Sequence, residues 1–96
     1  MNVHDDLEII ERSLKTIDIV LKSNYKLLLT NTKEFKTQLD ISSQDLIECN
    51  QKISFLLKGV NGEFNNRLQK LKEFADSLSH QLQIIFHIYS LKAITK

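Results

Sequence analysis

The sequence predicts an all-α fold, either an antiparallel helical hairpin or a three-helix coiled-coil bundle, built as a single domain over residues 1–96. Apolar residues recur at alternating steps of four and three, which places them in a stripe along one face of a helix. Acidic residues often stand four positions before basic ones, an order that stabilises a helix by about 0.2–0.5 kcal/mol per pair. The chain has no proline, and its two glycines lie between two long runs of helix-forming sequence. Together these features predict helices joined by a short turn.

The first predicted helix covers residues of about 3–39. Its apolar stripe is interrupted at Asn24 and Asn31, which occupy positions where the other members of the stripe are apolar. A buried asparagine costs stability but fixes the register and the partner of a coiled coil. We therefore interpret both asparagines as register-setting residues, with a solvated stretch of helix as the alternative. The apolar members of the stripe are Val3, Leu7, Ile10, Leu14, Ile17, Leu21, Leu28 and Phe35.

A boundary is predicted near residues 40–43, as a kink or a break. The first apolar stripe fails before this point and resumes in a frame displaced by four residues, as in a stutter of a continuous coiled coil. Asp40, Ser42 and Ser43 are residue types that cap the N-terminus of a helix, which favours a break. A second helix is then predicted at about 43–58. Its apolar residues are Leu46, Cys49, Ile53 and Leu56.

A turn is predicted at residues 59–62, before a third helix at about 63–94. Gly59 can adopt the left-handed conformation that closes a helix, and Asn61 is a good N-terminal cap for the next one. Gly62 adds a second flexible position. A β-hairpin is the alternative for an Asn-Gly pair, but helical spacing on both flanks favours a turn between helices. The stripe of the third helix is Phe64, Leu68, Leu71, Ala75, Leu78, Leu82, Ile85 and Tyr89.

The helix lengths predict that some of the apolar surface faces another molecule. At about 1.5 Å per residue, a third helix folded back from the turn reaches only about residues 28–58 of a straight preceding helix. A second stripe within residues 82–94 makes the end of this helix apolar around most of its circumference. Burial against a partner is favoured, with an internal core as the alternative. The predicted partner interface comprises Leu7, Ile10, Leu14, Ile17, Leu21, Leu82, Ile84, Ile85, Phe86, Ile88, Tyr89 and Leu91.

No pattern in the sequence is typical of a catalytic, cofactor or metal site. His4, His80 and His87 do not form the close group that a zinc site needs. Asp76 and His80 have helical spacing but no nucleophile beside them, so a solvated surface pair is expected. Cys49 lies on an apolar stripe and is expected to be a buried, inert thiol. We therefore expect no catalysis, no cofactor, no metal and no small-molecule substrate.

Composition argues against several other classes of protein. The formal charge of +1, from 13 basic and 12 acidic residues, gives no field that would draw nucleic acid or anionic lipid. No run of about 18 apolar residues predicts a transmembrane helix, and the acidic first residues lack the pattern of a secretory signal. One cysteine cannot form an internal disulfide, which favours a reducing compartment. We expect an intracellular, cytoplasmic protein that neither inserts into membranes nor binds nucleic acid.

Three functions are compatible with such a helical chain. The favoured one is a non-catalytic protein–protein interaction subunit that docks by coiled-coil helix packing into a larger multiprotein complex. The alternative is a small helical chaperone or escort that covers an amphipathic helix of a client protein, for example a secretion-system component. A third is a regulator that acts at a nucleic-acid or membrane surface, whose binding would depend on salt. The favoured function predicts a hetero-oligomer, and a homo-oligomer is its alternative.

Overall fold

The computed structural model describes residues 3–23, 33–60 and 62–95. They form the helices α1 (Val3–Ser23), α2 (Lys33–Leu57) and α3 (Glu63–Thr95), and these described ranges contain no strand. The three helices pack pairwise into an elongated bundle with extents of 51 × 17 × 16 Å. The predicted all-α class is therefore confirmed, and the three-helix bundle is the architecture observed.

The contacts at the ends of α2 show that it runs antiparallel to both other helices. Asp6, at the start of α1, lines the same surface cavity as Phe55, near the end of α2. The ring of Phe35, at the start of α2, packs on that of Tyr89, near the end of α3. α1 and α3 are therefore parallel to each other.

The core is built from the apolar stripes of all three helices. Because residues spaced by three and four share one face of a helix, three such faces can close against one another. Full burial of a leucine or isoleucine side chain contributes about 1.5–3 kcal/mol, so this core is the main source of stability. Its buried members are Leu7, Ile10, Leu14, Ile17, Leu21, Phe35, Leu39, Leu46, Cys49, Ile53, Leu56, Leu68, Ala75, Leu78, Leu82 and Ile85.

The predicted break near residues 40–43 is wrong, because α2 continues through them without interruption. Ser42 is buried on the core face, where it occupies a position of the apolar stripe instead of capping a helix. Asp40 pairs with Lys36, one turn earlier in the same helix, at 2.6 Å between Nζ and Oδ1. Ser42 and Asp40 thus take roles inside a helix, although their residue types also suit a cap.

α1 ends at Ser23, and α2, which is antiparallel to it, begins at Lys33. Of the residues predicted as one helix of 3–39, those that the structure describes therefore belong to α1 and to the first part of α2. Asn24 and Asn31, the predicted register-setting residues, lie outside the described residues. Their role stays a prediction.

The turn between α2 and α3 lies where the sequence predicts it, but its left-handed residue is Gly62. The N–H of Gly59 donates to the carbonyl of Leu56 at 3.0 Å and closes the end of α2 without a positive φ at Gly59, in contrast to the prediction. Gly62 has a φ of 66°, which glycine adopts without strain. Its carbonyl accepts the N–H of Asn66 at 3.2 Å, so Gly62 occupies the N-cap position of α3. Asn61, the predicted cap, lies outside the described residues.

Candidate interaction surface

Most of the predicted partner interface is buried within the bundle. The stripe of α1 is covered by α2 and α3 together. The seven residues concerned are at most 7% exposed and form part of the core of the bundle. They are Leu7, Ile10, Leu14, Ile17, Leu21, Leu82 and Ile85.

The other five predicted interface residues lie in the later part of α3. Phe86, Ile88 and Tyr89 are half-buried and pack against the core, whereas Ile84 and Leu91 are each 48% exposed. Ile84 lines a surface cavity of about 320 Å³ between α1 and α3. The second stripe is therefore divided between the core and the solvent. We call Ile84, Ile88 and Leu91 the α3 stripe.

A further surface, which the sequence analysis missed, lies between α1 and α2. One cavity of about 390 Å³ joins the later part of α1 to the early part of α2, and another of about 380 Å³ joins the start of α1 to the end of α2. The two cavities lie along the same pair of helices, and we call them together the α1–α2 groove. Its lining includes Asp6, Ile19 and Val20 of α1, and Ile41, Asp45, Glu48, Lys52 and Phe55 of α2.

Large apolar side chains stand in this groove largely open to solvent. Ile19 is 62% exposed, Ile41 is 56% exposed and Phe55 is 64% exposed. Between Ile41 and Phe55, positions 45, 48 and 52 follow at steps of four, three, four and three residues. Ile41 and Phe55 therefore lie on one face of α2. The groove thus has apolar residues towards both ends.

Cys49 is buried in the core, where the side chain of Ser13 from α1 hydrogen-bonds to it. Burial raises the pKa of the Cys49 thiol, because the thiolate would lose its hydration. The hydrogen bond from Ser13 and the charge of Lys52 act in the opposite direction, to a smaller extent. The thiol is buried, as predicted, and its raised pKa favours the protonated form.

The charged residues that line the groove are mostly acidic. Among the described residues that line the two cavities, Asp6, Asp45 and Glu48 are acidic and Lys52 alone is basic, and Lys52 lines only the cavity that Asp6 and Glu48 share. In residues 3–23, 33–60 and 62–95, no ion pair within 4.0 Å involves any of these three acids. By contrast, five acids on other faces each lie within 4.0 Å of a histidine, lysine or arginine. They are Glu8, Glu11, Asp18, Asp40 and Asp76.

This groove leaves only a weak signal in the sequence. Along its α2 wall, apolar residues occupy the two ends, and three charged residues lie between them, so the row resembles a solvated helix face. The only available signal is the separation of Ile41 and Phe55 by two heptads. Its meaning depends on knowing that α1 packs alongside this row, which follows from the tertiary structure.

Among the described residues, no three His, Cys, Asp or Glu side chains are grouped closely enough to hold a metal ion. The Nζ of Lys72 lies 3.9 Å from Oδ2 of Asp76, the residue predicted to form a surface pair with His80. None of the described helices is both long enough and apolar enough to cross a membrane.

No protein-family model matches this chain, and no curated protein or solved structure matches it either. The geometry and charge of the α1–α2 groove and of the α3 stripe are therefore the basis for assigning a function.

Proposed function

We propose that this chain is a non-catalytic protein–protein interaction subunit, which binds a helix of another protein and so joins a larger assembly. The observation that carries this proposal is the exposure of Ile19, Ile41 and Phe55 along the α1–α2 groove of a bundle whose core is already closed. Because the core needs none of these side chains, their burial becomes available when a second protein binds.

The clustering of these residues supports the proposal more than their number does. Single exposed apolar residues are normal on any protein surface and need no explanation. Here three of them line two cavities along the same pair of helices, where the ridges of a further helix can pack. An amphipathic helix laid in an apolar groove is a recurrent mode of protein recognition.

Docking of this kind uses the surface of the folded bundle. The heptad leucines and isoleucines of α1 are committed to the core, so they would reach a partner only if the bundle opened. The α3 stripe offers a second contact, through Ile84 and Leu91. Two separate apolar surfaces suit a subunit that holds more than one neighbour, and thus a hetero-oligomer.

A small helical chaperone or escort is the second candidate. The α1–α2 groove could cover one amphipathic helix of a client while the bundle stays closed. The two functions differ in whether the bound protein is released. An escort releases its client, whereas a subunit remains in a complex of fixed stoichiometry. Measuring the dissociation rate of the purified complex separates them.

Co-purification tests the proposal. The tagged chain, at its native level in its own cells, is compared with Ile41→Gln/Phe55→Gln in the groove and Ile84→Gln/Leu91→Gln on the α3 stripe. Each double variant is the control for the other, because both replace two exposed apolar side chains with neutral polar ones. We expect at least one protein to be recovered in a fixed ratio with the wild-type chain and to be lost from one double variant that keeps its helical circular dichroism. Recovery of no protein in a fixed ratio, or recovery that neither double variant changes, would contradict the proposal.

A further inference from the structure

We propose that the α1–α2 groove takes a basic amphipathic helix of another protein, with lysine or arginine beside its apolar stripe. This inference rests on the proposed function and adds the chemistry of the partner. It is carried by the juxtaposition, in one groove, of exposed apolar residues with acids that have no ion-pair partner in the described part of the chain.

The charges select the partner. Asp45 and Glu48 lie on the groove face of α2 between the apolar residues, and Asp6 adds a third acid from α1. Among the described residues, Lys52 is the one base that lines these cavities. A helix that presents cations to these acids gains complementary pairs, whereas an acidic helix meets repulsion as well as the loss of hydration. The chain as a whole has a charge of +1, so a preference for cations would come from the groove and not from net charge.

The spacing of the groove residues sets the pattern of the partner helix. Ile41 and Phe55 are 14 residues apart on α2, or about 21 Å at the rise of an α-helix. A helix lying along the groove therefore needs apolar residues about four turns apart, one near Ile41 and one near Phe55. Its basic residues belong between these two, opposite Asp45 and Glu48.

A second copy of this chain is a poor occupant of the groove. In an isologous dimer the same groove forms both sides of the interface, which would place Asp45 and Glu48 close to their own counterparts. Like charges brought together in this way oppose association. The unpaired acids thus favour a different, basic chain.

Two synthetic peptides test the proposal. Each has about 21 residues and a stripe of leucines spaced by seven, long enough to reach from Ile41 to Phe55. One carries lysines beside the central leucine, and the other carries glutamates at the same positions. Fluorescence anisotropy measures the dissociation constant of each peptide with the full chain, with Ile41→Gln/Phe55→Gln and with Asp45→Lys/Glu48→Lys. Ile84→Gln is the matched control, because Ile84 is an exposed isoleucine outside the groove.

We expect the lysine peptide to bind at least about tenfold more tightly than the glutamate peptide, as two or more charge pairs at a solvated interface would allow. The preference should reverse in Asp45→Lys/Glu48→Lys, and both peptides should lose affinity in Ile41→Gln/Phe55→Gln but not in Ile84→Gln. Equal binding of the two peptides would overturn the basic partner while leaving the proposed function intact. Binding of neither peptide, or self-association in sedimentation that depends on Ile41 and Phe55, would overturn the groove as the site of a basic helix. The proposed function itself fails only on the co-purification result.

Discussion

The rings of Phe35 and Tyr89 pack with their centroids 6.0 Å apart and their planes tilted by 39°, which joins the first turn of α2 to the later part of α3. Beside them, the Nζ of Lys36 lies 5.5 Å from the centroid of the Phe86 ring. Aromatic pairs at such distances contribute about 0.5–1.5 kcal/mol beyond the area that they bury. The end of α3 is therefore anchored within the chain, although its sequence is apolar enough to suggest a partner.

We expect Phe35→Ala to lower the free energy of unfolding by about 3–5 kcal/mol, because it leaves a cavity where a ring of 1% exposure stood. Phe55→Ala is the matched control on the same helix, and we expect a change within about 0.5 kcal/mol at this exposed site. Urea unfolding followed by circular dichroism measures both. If Phe35→Ala does not fold, Phe35→Leu gives a smaller loss that can be measured. Equal effects at the two phenylalanines would contradict the packing described here.

Ser42→Ala tests whether α2 is continuous. In the interior of a helix, alanine is favoured over serine by about 0.5 kcal/mol, so the substitution should stabilise the bundle slightly. At an N-cap the same substitution would cost about 1 kcal/mol. Ser54→Ala, at an exposed site of α2, reports the effect of helix propensity alone. A loss of stability at Ser42 that is absent at Ser54 would place a helix start near residue 42.

The sequence was sufficient for the core and for the turn between α2 and α3. Leu7, Leu14 and Leu21 recur every seven residues, and any helix with that stripe must bury it. The glycines fall where the chain turns back from α2 to α3. The sequence does not show which helix covers an apolar stripe, however, because that depends on how all three helices pack. For this reason Leu21 and other core residues were predicted to face a partner.

The predicted break near residues 40–43 and the missed groove have a common cause. Serine and aspartate cap helices, but they also occur inside them, and only packing separates the two uses at Ser42. Ile41 and Phe55 stand at the two ends of an otherwise polar row of α2. This pattern indicates a groove only once α1 is known to lie beside the row. Local sequence therefore predicts which face of a helix is buried better than it predicts which neighbour provides the burial.

Replacing the two glycines in turn tests the backbone of the turn. A Cβ added at Gly59 or at Gly62 meets no atom within 4 Å, so the two substitutions differ only in backbone conformation. We expect Gly62→Ala to cost about 1–2 kcal/mol because of its φ of 66°. Gly59→Ala should be neutral or stabilise by about 0.4–1 kcal/mol. Thermal and urea unfolding compare the two variants, and the reverse order would assign the left-handed residue to Gly59.

Glu11 offers a test of the surface charges. The hydrogen bond and the charge of Lys15, 3.0 Å away, lower the pKa of the Glu11 carboxyl, and Arg67 at 3.9 Å adds less. Because the pKa of this carboxyl is lower in the folded than in the unfolded chain, its ionised form stabilises the folded chain at pH values above the unfolded pKa. This contribution to the free energy of unfolding is lost as the pH falls through the folded pKa. We expect Lys15→Gln to raise the pKa of Glu11 more than Arg67→Gln does, as measured by NMR titration of its side-chain carboxyl. A larger effect from Arg67 would mean that the contact between α1 and α3 dominates.

Cys49 links the stability of the core to alkaline pH. Its pKa is raised by burial, so near neutral pH the thiol is protonated in the folded and the unfolded chain alike and has no influence on the pH dependence. Above the ordinary thiol pKa of about 8.5, the unfolded chain loses this proton first, and stability falls as the pH rises towards the folded pKa. The slope from one proton is at most about 1.4 kcal/mol per pH unit.

Urea unfolding at about pH 7.5 and at about pH 9.5, on either side of the ordinary thiol pKa, tests this link. We expect the wild-type chain to lose unfolding free energy between these two values, and we expect Cys49→Ala to lack this loss. Because Cys49 is the only cysteine, its reaction with a thiol reagent gives an independent check: it should be slow in the folded bundle and fast in urea. Equal slopes for both proteins, together with fast native labelling, would mean that solvent reaches Cys49 in the folded bundle.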